Sequence, residues 1–373
     1  MAHATRWGAG VVITVTVAAA MSAMRADAVP RYSARYEQNC MLCHVNPTGG
    51  GMRSAYAVRE LIPKEFAMSP ETPEALKAID PMIGKHVSIG TDLRQLFLAE
   101  TASNPLAPPQ GFFPMQGDVY LCFQLDPKFE LYYDRGFTGQ YEAFATGHVL
   151  PWDGYVKAGR FVPPYGWKFD DHTMYVRDDL GLAPPANSDG GVEVGCSPRP
   201  AEVQVAVVNG ARGSLLDTDR RLAVSGTASV RFRAGPLSAC AGVSGYAHPG
   251  VDEDFNTAGA FGYLTGWNVT WVGEGDLIRR HPASAAATSG VVSSHELSVL
   301  LRRGVELLAT YDFFDPDRRL RSGSRDRWGV GLSVMPRSFL IAQASFRQTR
   351  VQQGPAIGGS DFDEGLFQIH VLY

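Results

Sequence analysis

The sequence predicts a mainly β fold: an antiparallel outer-membrane β-barrel of about sixteen strands, preceded by a small N-terminal α-helical domain. Three observations carry that expectation. From about Lys85 onward, apolar and polar residues alternate with period two. The connections between the alternating runs are short and long in turn, and the last run keeps its alternation to a terminal aromatic residue. Composition agrees: charged residues are 19%, aromatics 10%, and 40 of 373 residues are glycine, a balance that suits glycine-kinked, aromatic-girdled strands. A net charge of -4 gives no case for nucleic-acid binding.

The first 28 residues read as an export signal. Arg6 supplies the positive start, Gly8 to Ala23 form an apolar stretch of small residues, and Ala26-Asp27-Ala28 is a cleavage site that would start the mature chain near Val29. An uncleaved anchor is the alternative, and the small residues and the cleavage triad favour removal. No later segment holds 18 consecutive apolar residues, so no transmembrane helix is expected in the body of the chain.

Residues 29–85 read as a small domain built around Cys40-Met41-Leu42-Cys43-His44. The C-x-x-C-H spacing is what one covalent haem c needs: Cys40 and Cys43 to bond its two vinyl groups, and His44 to ligate the iron from one face. A zinc site or a redox dithiol would use Cys-x-x-Cys without the histidine. Position about a dozen residues after the cleavage site favours haem. A tight loop, Asn46-Pro47-Thr48-Gly49-Gly50-Gly51, follows, and then two helical segments, Arg53 to Leu61 and Pro70 to Ile79, ended by Pro63 and Pro81. So short a piece has a thin core, which the porphyrin would complete. For the opposite face of the iron, Met52 on the motif's own loop is the candidate carried forward, with Met68, Met82 and His86 as alternatives and a five-coordinate iron also open.

Residues 86–373 read as the barrel. Candidate strands are 86–99, 116–125, 128–135, 140–149, 154–162, 191–197, 201–209, 221–234, 237–247, 257–264, 267–279, 291–302, 305–315, 327–335, 338–350 and 363–373. Trp267-Asn268-Val269-Thr270-Trp271 shows the alternation, as do Val305, Leu307, Ala309, Tyr311 and Phe313 against the residues between them. Short turns such as Gly235-Pro236 and Arg303-Gly304 alternate with long polar loops, which a soluble sandwich has no reason to do; only the loop near Gly136 breaks the pattern. An even strand number puts both ends on the short-turn, periplasmic side. Lys157, Arg160, Glu274, Asp276, Glu306 and Asp312 are candidate lumen residues of both signs, which argues against a strong ion filter. The stretch from Gly154 to Arg177, with Pro163-Pro164 and then Asp170-Asp171-His172, either folds inward to narrow the pore or makes a stiff surface loop. Cys122, Cys196 and Cys240 are expected to be free thiols. No G-x-S-x-G elbow is present, and no catalytic residue is assigned.

In layout the chain resembles the fused monohaem cytochrome-porins of bacterial outer membranes, the architecture of iron-oxidation and extracellular electron-transfer proteins. The residues that carry the resemblance are Cys40, Cys43 and His44 with Asn46 to Gly50, the stretch Ala158 to Phe161 through Tyr165-Gly166, and the alternation from Phe367 to Tyr373. The resemblance implies an outer-membrane electron conduit more than a classical enzyme, with Fe(II) oxidation or extracellular reduction as its enzymatic form. It also implies a haem in or under the barrel mouth, periplasmic cytochromes on one side and an external donor or acceptor such as iron on the other, with lipid around the wall. Two rivals remain: a solute porin with a tethering haem domain, and a soluble periplasmic haem protein with a β-rich body.

Overall fold

The computed structural model describes residues 30–101, 110–137, 141–182, 188–212, 214, 217, 219–354 and 359–373. The expected export signal lies outside the described residues.

A short strand β1 (Met82–Ile83) pairs with the first wall strand, β2 (Val87–Glu100). The wall continues through β3 (Gln110–Asp126), β4 (Phe129–Gly136), β5 (Tyr141–Leu150), β6 (Gly154–Phe161), β7 (Asp189–Cys196), β8 (Ala201–Val208) and β9 (Ala223–Ala234). Its second half is β10 (Leu237–Pro249), β11 (Glu253–Gly266), β12 (Val269–Pro282), β13 (Thr288–Arg302), β14 (Val305–Asp315), β15 (Arg325–Arg337), β16 (Leu340–Val351) and β17 (Phe362–Leu372). Each strand pairs antiparallel with its sequence neighbour, and β17 pairs back onto β2 with Phe367 opposite Phe97. The ring of sixteen strands is therefore closed and has no free edge, the condition for carrying β-structure through lipid.

All sixteen expected strands are present, with ends moved by a few residues. On β15, Trp328, Val330 and Leu332 are exposed while Arg327 and Ser333 are buried. On β14, Leu307 and Tyr311 face out, and Glu306 and Asp312 face in. The apolar face thus points away from the protein, the inverse of a soluble fold. Exposed aromatics mark both rims: Trp152 and Trp267 at the short turns, Phe112 and Phe137 at the opposite ends of the strands. Among the described residues no helix is long and apolar enough to cross a membrane.

The N-terminal segment, expected to be a small helical domain with a thin core, holds little helix and packs on the barrel. Its pieces are short: helix Pro30–Tyr36, a single turn at Cys40–Leu42, a π-helical segment Ala57–Phe66 that runs through Pro63, and helix Pro73–Ala78. They bury their apolar side chains against the barrel as well as one another, Tyr32 stacking on Phe66 at 5.0 Å. Tyr32, Leu61, Ile62 and Phe66 form one cluster with Leu300, Met335 and Ile341 of the wall, while Ala34 and Met52 join the lumen cluster of Tyr120, Tyr132 and Phe144. Too few apolar residues exist here for an independent core, so the barrel interior supplies it.

Candidate functional site

The motif forms one tight turn. Backbone N–H groups of Cys43 and His44 both donate to the Cys40 carbonyl, at 3.1 and 3.0 Å, which sends both thiols and the imidazole out from a single bend. A return strand closes under it: Val45 N–H donates to the Met52 carbonyl and Ser54 N–H to the Cys43 carbonyl, at 3.0 and 2.9 Å. Between them Gly49, Gly50 and Gly51 take φ of +78°, +78° and +64°, a left-handed run open to glycine. A Cβ on Gly49 would stand 3.0 Å from the Cys40 side chain, and one on Gly51 would collide with the Tyr132 hydroxyl.

Wall and loop residues hold this turn inside the lumen. Lys157 of β6, fully buried, donates to Asn46 Oδ1 at 3.2 Å and Thr48 Oγ1 at 3.3 Å while pairing with Glu193 at 2.9 Å. Tyr132 Oη accepts from Met52 N–H at 3.1 Å. Lys168 donates to Thr48 Oγ1 and to the Gly49 carbonyl, at 3.1 and 2.8 Å. Earlier in the segment, Arg31 and Arg35 pair with Glu306, and Arg31 also with Glu296.

The stretch after β6 folds inward, which decides between constriction and surface loop. Trp167 N–H donates to Glu274 at 2.5 Å and Tyr165 Oη to Asp276 at 2.7 Å. Arg94 donates to the Asp170 carbonyl at 2.9 Å, and Arg347 pairs with Asp171 at 3.0 Å. Burial alone would raise the Asp171 carboxyl, but Arg347 and Arg327 outweigh it and hold it down to about 2. Lys157, Glu274, Asp276, Glu306 and Asp312 are all buried on the lumen side, as expected, and Arg160 lies near the loop, bonded to Ser188 and the Ser214 carbonyl.

Between turn, loop and wall lies a cavity of about 2100 Å³, part of it open to solvent. Cys40, Cys43, His44, Lys168, His172 and Arg94 are on its surface. Burial lowers His44 to about 4, so the ring is neutral, the form that ligates a metal; burial likewise brings Lys168 down to about 8 and pushes the Cys40 thiol up to about 11. Neither motif cysteine is in a disulfide, and His44 Nδ1 is buried without a hydrogen bond. Two reduced thiols and a neutral imidazole on one roomy cavity are a donor set that fits covalent haem.

Met52 is not on that cavity. It is buried against Gly90, Tyr120 and Tyr132 of the wall. Met68 docks its backbone on Met335 at the rim, the Met82 sulfur accepts from Ser88, and His86 contacts the Gln124 carbonyl. The structure places none of these four on the cavity; it places His172 there, and no local spacing signals its place in the inward loop. Cys122, Cys196 and Cys240 are free thiols.

Solved structures match this chain along most of its length. An anion-selective porin from Comamonas acidovorans aligns at a TM-score of 0.58 and 11% identity, over 77% of this chain and 99% of that one. OmpT of Vibrio cholerae aligns at 0.57 and 9%, over 78% and 99%, and OprB of Pseudomonas putida at 0.54 and 9%, over 77% and 94%. The fold is that of the outer-membrane porins. No protein-family model and no curated protein matches the chain. With its apolar belt and aromatic rims, the porin-type wall is an outer-membrane barrel, and its lumen holds the chain's own N-terminal segment.

Proposed function

We propose that this chain is a porin-type outer-membrane barrel that carries one covalent haem c in its lumen and conducts electrons between an external donor or acceptor, such as iron, and periplasmic cytochromes. The observation that carries this reading is the Cys40-Cys43-His44 turn lying inside the barrel on a cavity, pinned by Lys157 and Lys168. Lipid does not conduct electrons across an apolar band of about 25 Å. A haem bound at this turn would exchange single electrons from within the wall. The protein's own task is positional: the left-handed glycines keep the Cys40 face clear, the buried ion pairs anchor the segment, and the wall keeps lipid away from the site. Attachment itself needs no oxidant, because each thiol adds across a vinyl group, the sulfur bonding one carbon and its hydrogen the other.

A solute channel is the second reading, and the fold comparisons taken alone sit closer to it. The similar structures include a porin named as anion-selective and the channel DcaP of Acinetobacter baumannii. Against free passage stands the filled lumen, in which cations and carboxylates are cross-linked in pairs such as Arg31 with Glu296 and Arg327 with Asp312. The test is a pair of measurements on protein from outer membranes: haem that stays with the chain on a denaturing gel and is reduced by ferrous iron supplied outside, and conductance in planar bilayers. The conduit reading expects bound, reducible haem and low conductance; large conductance with no haem supports the channel.

A further inference from the structure

We propose that His172 supplies the second axial ligand to the haem held at Cys40, Cys43 and His44, an inference that rests on the haem reading above. His172 lies on the inward loop and shares one cavity with all three motif residues. Its mount is fixed on both sides. Before it, Arg94 holds the Asp170 carbonyl and Arg347 holds the Asp171 carboxylate; after it, Arg327 donates to the Thr173 carbonyl at 2.7 Å. Three arginines from three wall strands thus pin three close neighbours of one imidazole. A ligand must be held against the iron's own preference for geometry, and a loop so tied can do that.

Most of the other donors are placed elsewhere or engaged. Met52 packs into the wall cluster, and Met68, Met82 and His86 lie off the cavity. His370 also reaches the cavity; its Nε2 is 2.7 Å from Asp92 Oδ1 and its Nδ1 is buried without a hydrogen bond, which makes it the rival imidazole that the variants below distinguish. Lys168 Nζ is bonded to Thr48 and Gly49. Besides His44, the described imidazoles on the cavity surface are His172 and His370; His172 is the one on the inward loop, and imidazole is an ordinary iron donor. Such a ligand would also join the two halves of the plug, the N-terminal turn and the loop after β6, through one metal.

The test uses the full chain, matured with haem and purified in detergent. Wild type is expected to give a six-coordinate low-spin spectrum with two nitrogen axial donors by electron paramagnetic resonance. His172→Ala should keep the same covalent haem per barrel, turn high-spin and five-coordinate, and return to low-spin when free imidazole is added. His172→Met should move the midpoint potential upward, as a histidine–methionine pair does, and Met52→Leu should leave the spectrum unchanged. If His172→Ala does not fold, the methionine variant decides, and an unchanged spectrum and potential there overturn the proposal. Haem present but still low-spin in His172→Ala overturns the ligand assignment alone; no covalent haem in wild type overturns it together with the reading on which it rests.

Discussion

Arg31, on the first helix inside the lumen, and Glu306, on the inner face of β14, form a 2.8 Å ion pair whose side chains are only 4% and 3% exposed. Arg31 also reaches Glu296 at 2.9 Å, and Arg35 reaches Glu306, so two cations of the segment meet two carboxylates of the wall away from water. That cluster is the clearest tie between the plug and the barrel. Breaking a buried pair by removing one partner typically costs ~3–5 kcal/mol, because a desolvated charge is left alone.

Arg31→Met is therefore expected to loosen the segment without opening the wall. Limited proteolysis should cut within residues 30–80 at least tenfold faster, by ~1.4 kcal/mol per factor of ten, and bilayer conductance should rise. Heat-modifiable gel mobility, which reports the closed barrel, should not change. Unaltered protease resistance and conductance would show that the helix is held by other contacts.

Asp171 gives the loop a defined acid limit. Its carboxyl is held down to about 2 from the usual 3.8, chiefly by Arg347 and Arg327 working against burial. A group whose folded pKa is depressed contributes stability that is full above its unfolded value and lost as pH falls through the folded one. The inward loop should hold unchanged from neutral pH to about 4 and release between about 4 and 2. Arg347→Gln should move that release toward higher pH. Loop cleavage by an acid-active protease, followed against pH, reads both.

Gly51 tests the return of the motif loop. Its φ of +64° and the closeness of the Tyr132 hydroxyl to the point where a Cβ would stand leave an alanine both strained and clashing. The left-handed conformation alone costs about 1–2 kcal/mol for an L-residue. Gly51→Ala should lower covalent haem per barrel severalfold while leaving barrel yield intact, measured as Soret absorbance against protein. Equal haem loading would mean that haem attachment does not need this tight return.

The wall was the most legible part. Period-two alternation over residues 86–373 located all sixteen strands because lipid on one side and a wet lumen on the other impose the same pattern on every strand. Turn sorting was legible for the same reason. The lumen filling was much harder to read. Arg31, Arg35 and Lys168 look like ordinary surface charges in sequence, and their partners Glu296, Glu306 and Gly49 lie far away along the chain or in a loop. Pro63 read as a helix stop although the helix runs through it, and nothing local says that Leu61 and Phe66 will find part of their core on Leu300 and Met335. Met52 stood beside the motif in sequence, but the left-handed glycines turn it toward Tyr132.

The outward face carries its own prediction. Leu332, mid-strand on β15, is exposed to the surroundings, while its neighbour Ser333 is buried on the other side. Leu332→Arg near the middle of the band should destabilise the barrel by ~2–4 kcal/mol in vesicles. Leu332→Phe should be nearly neutral. Urea titration of the refolded protein distinguishes them, and equal midpoints would place this face out of lipid.

The most direct measurement is the absorption spectrum of the mature chain purified from outer membranes, wild type beside Cys43→Ala. A Soret band that stays with the wild-type polypeptide after denaturation, and is weakened or lost in the variant, is the predicted result. A folded wild-type barrel with no Soret absorbance would contradict the account.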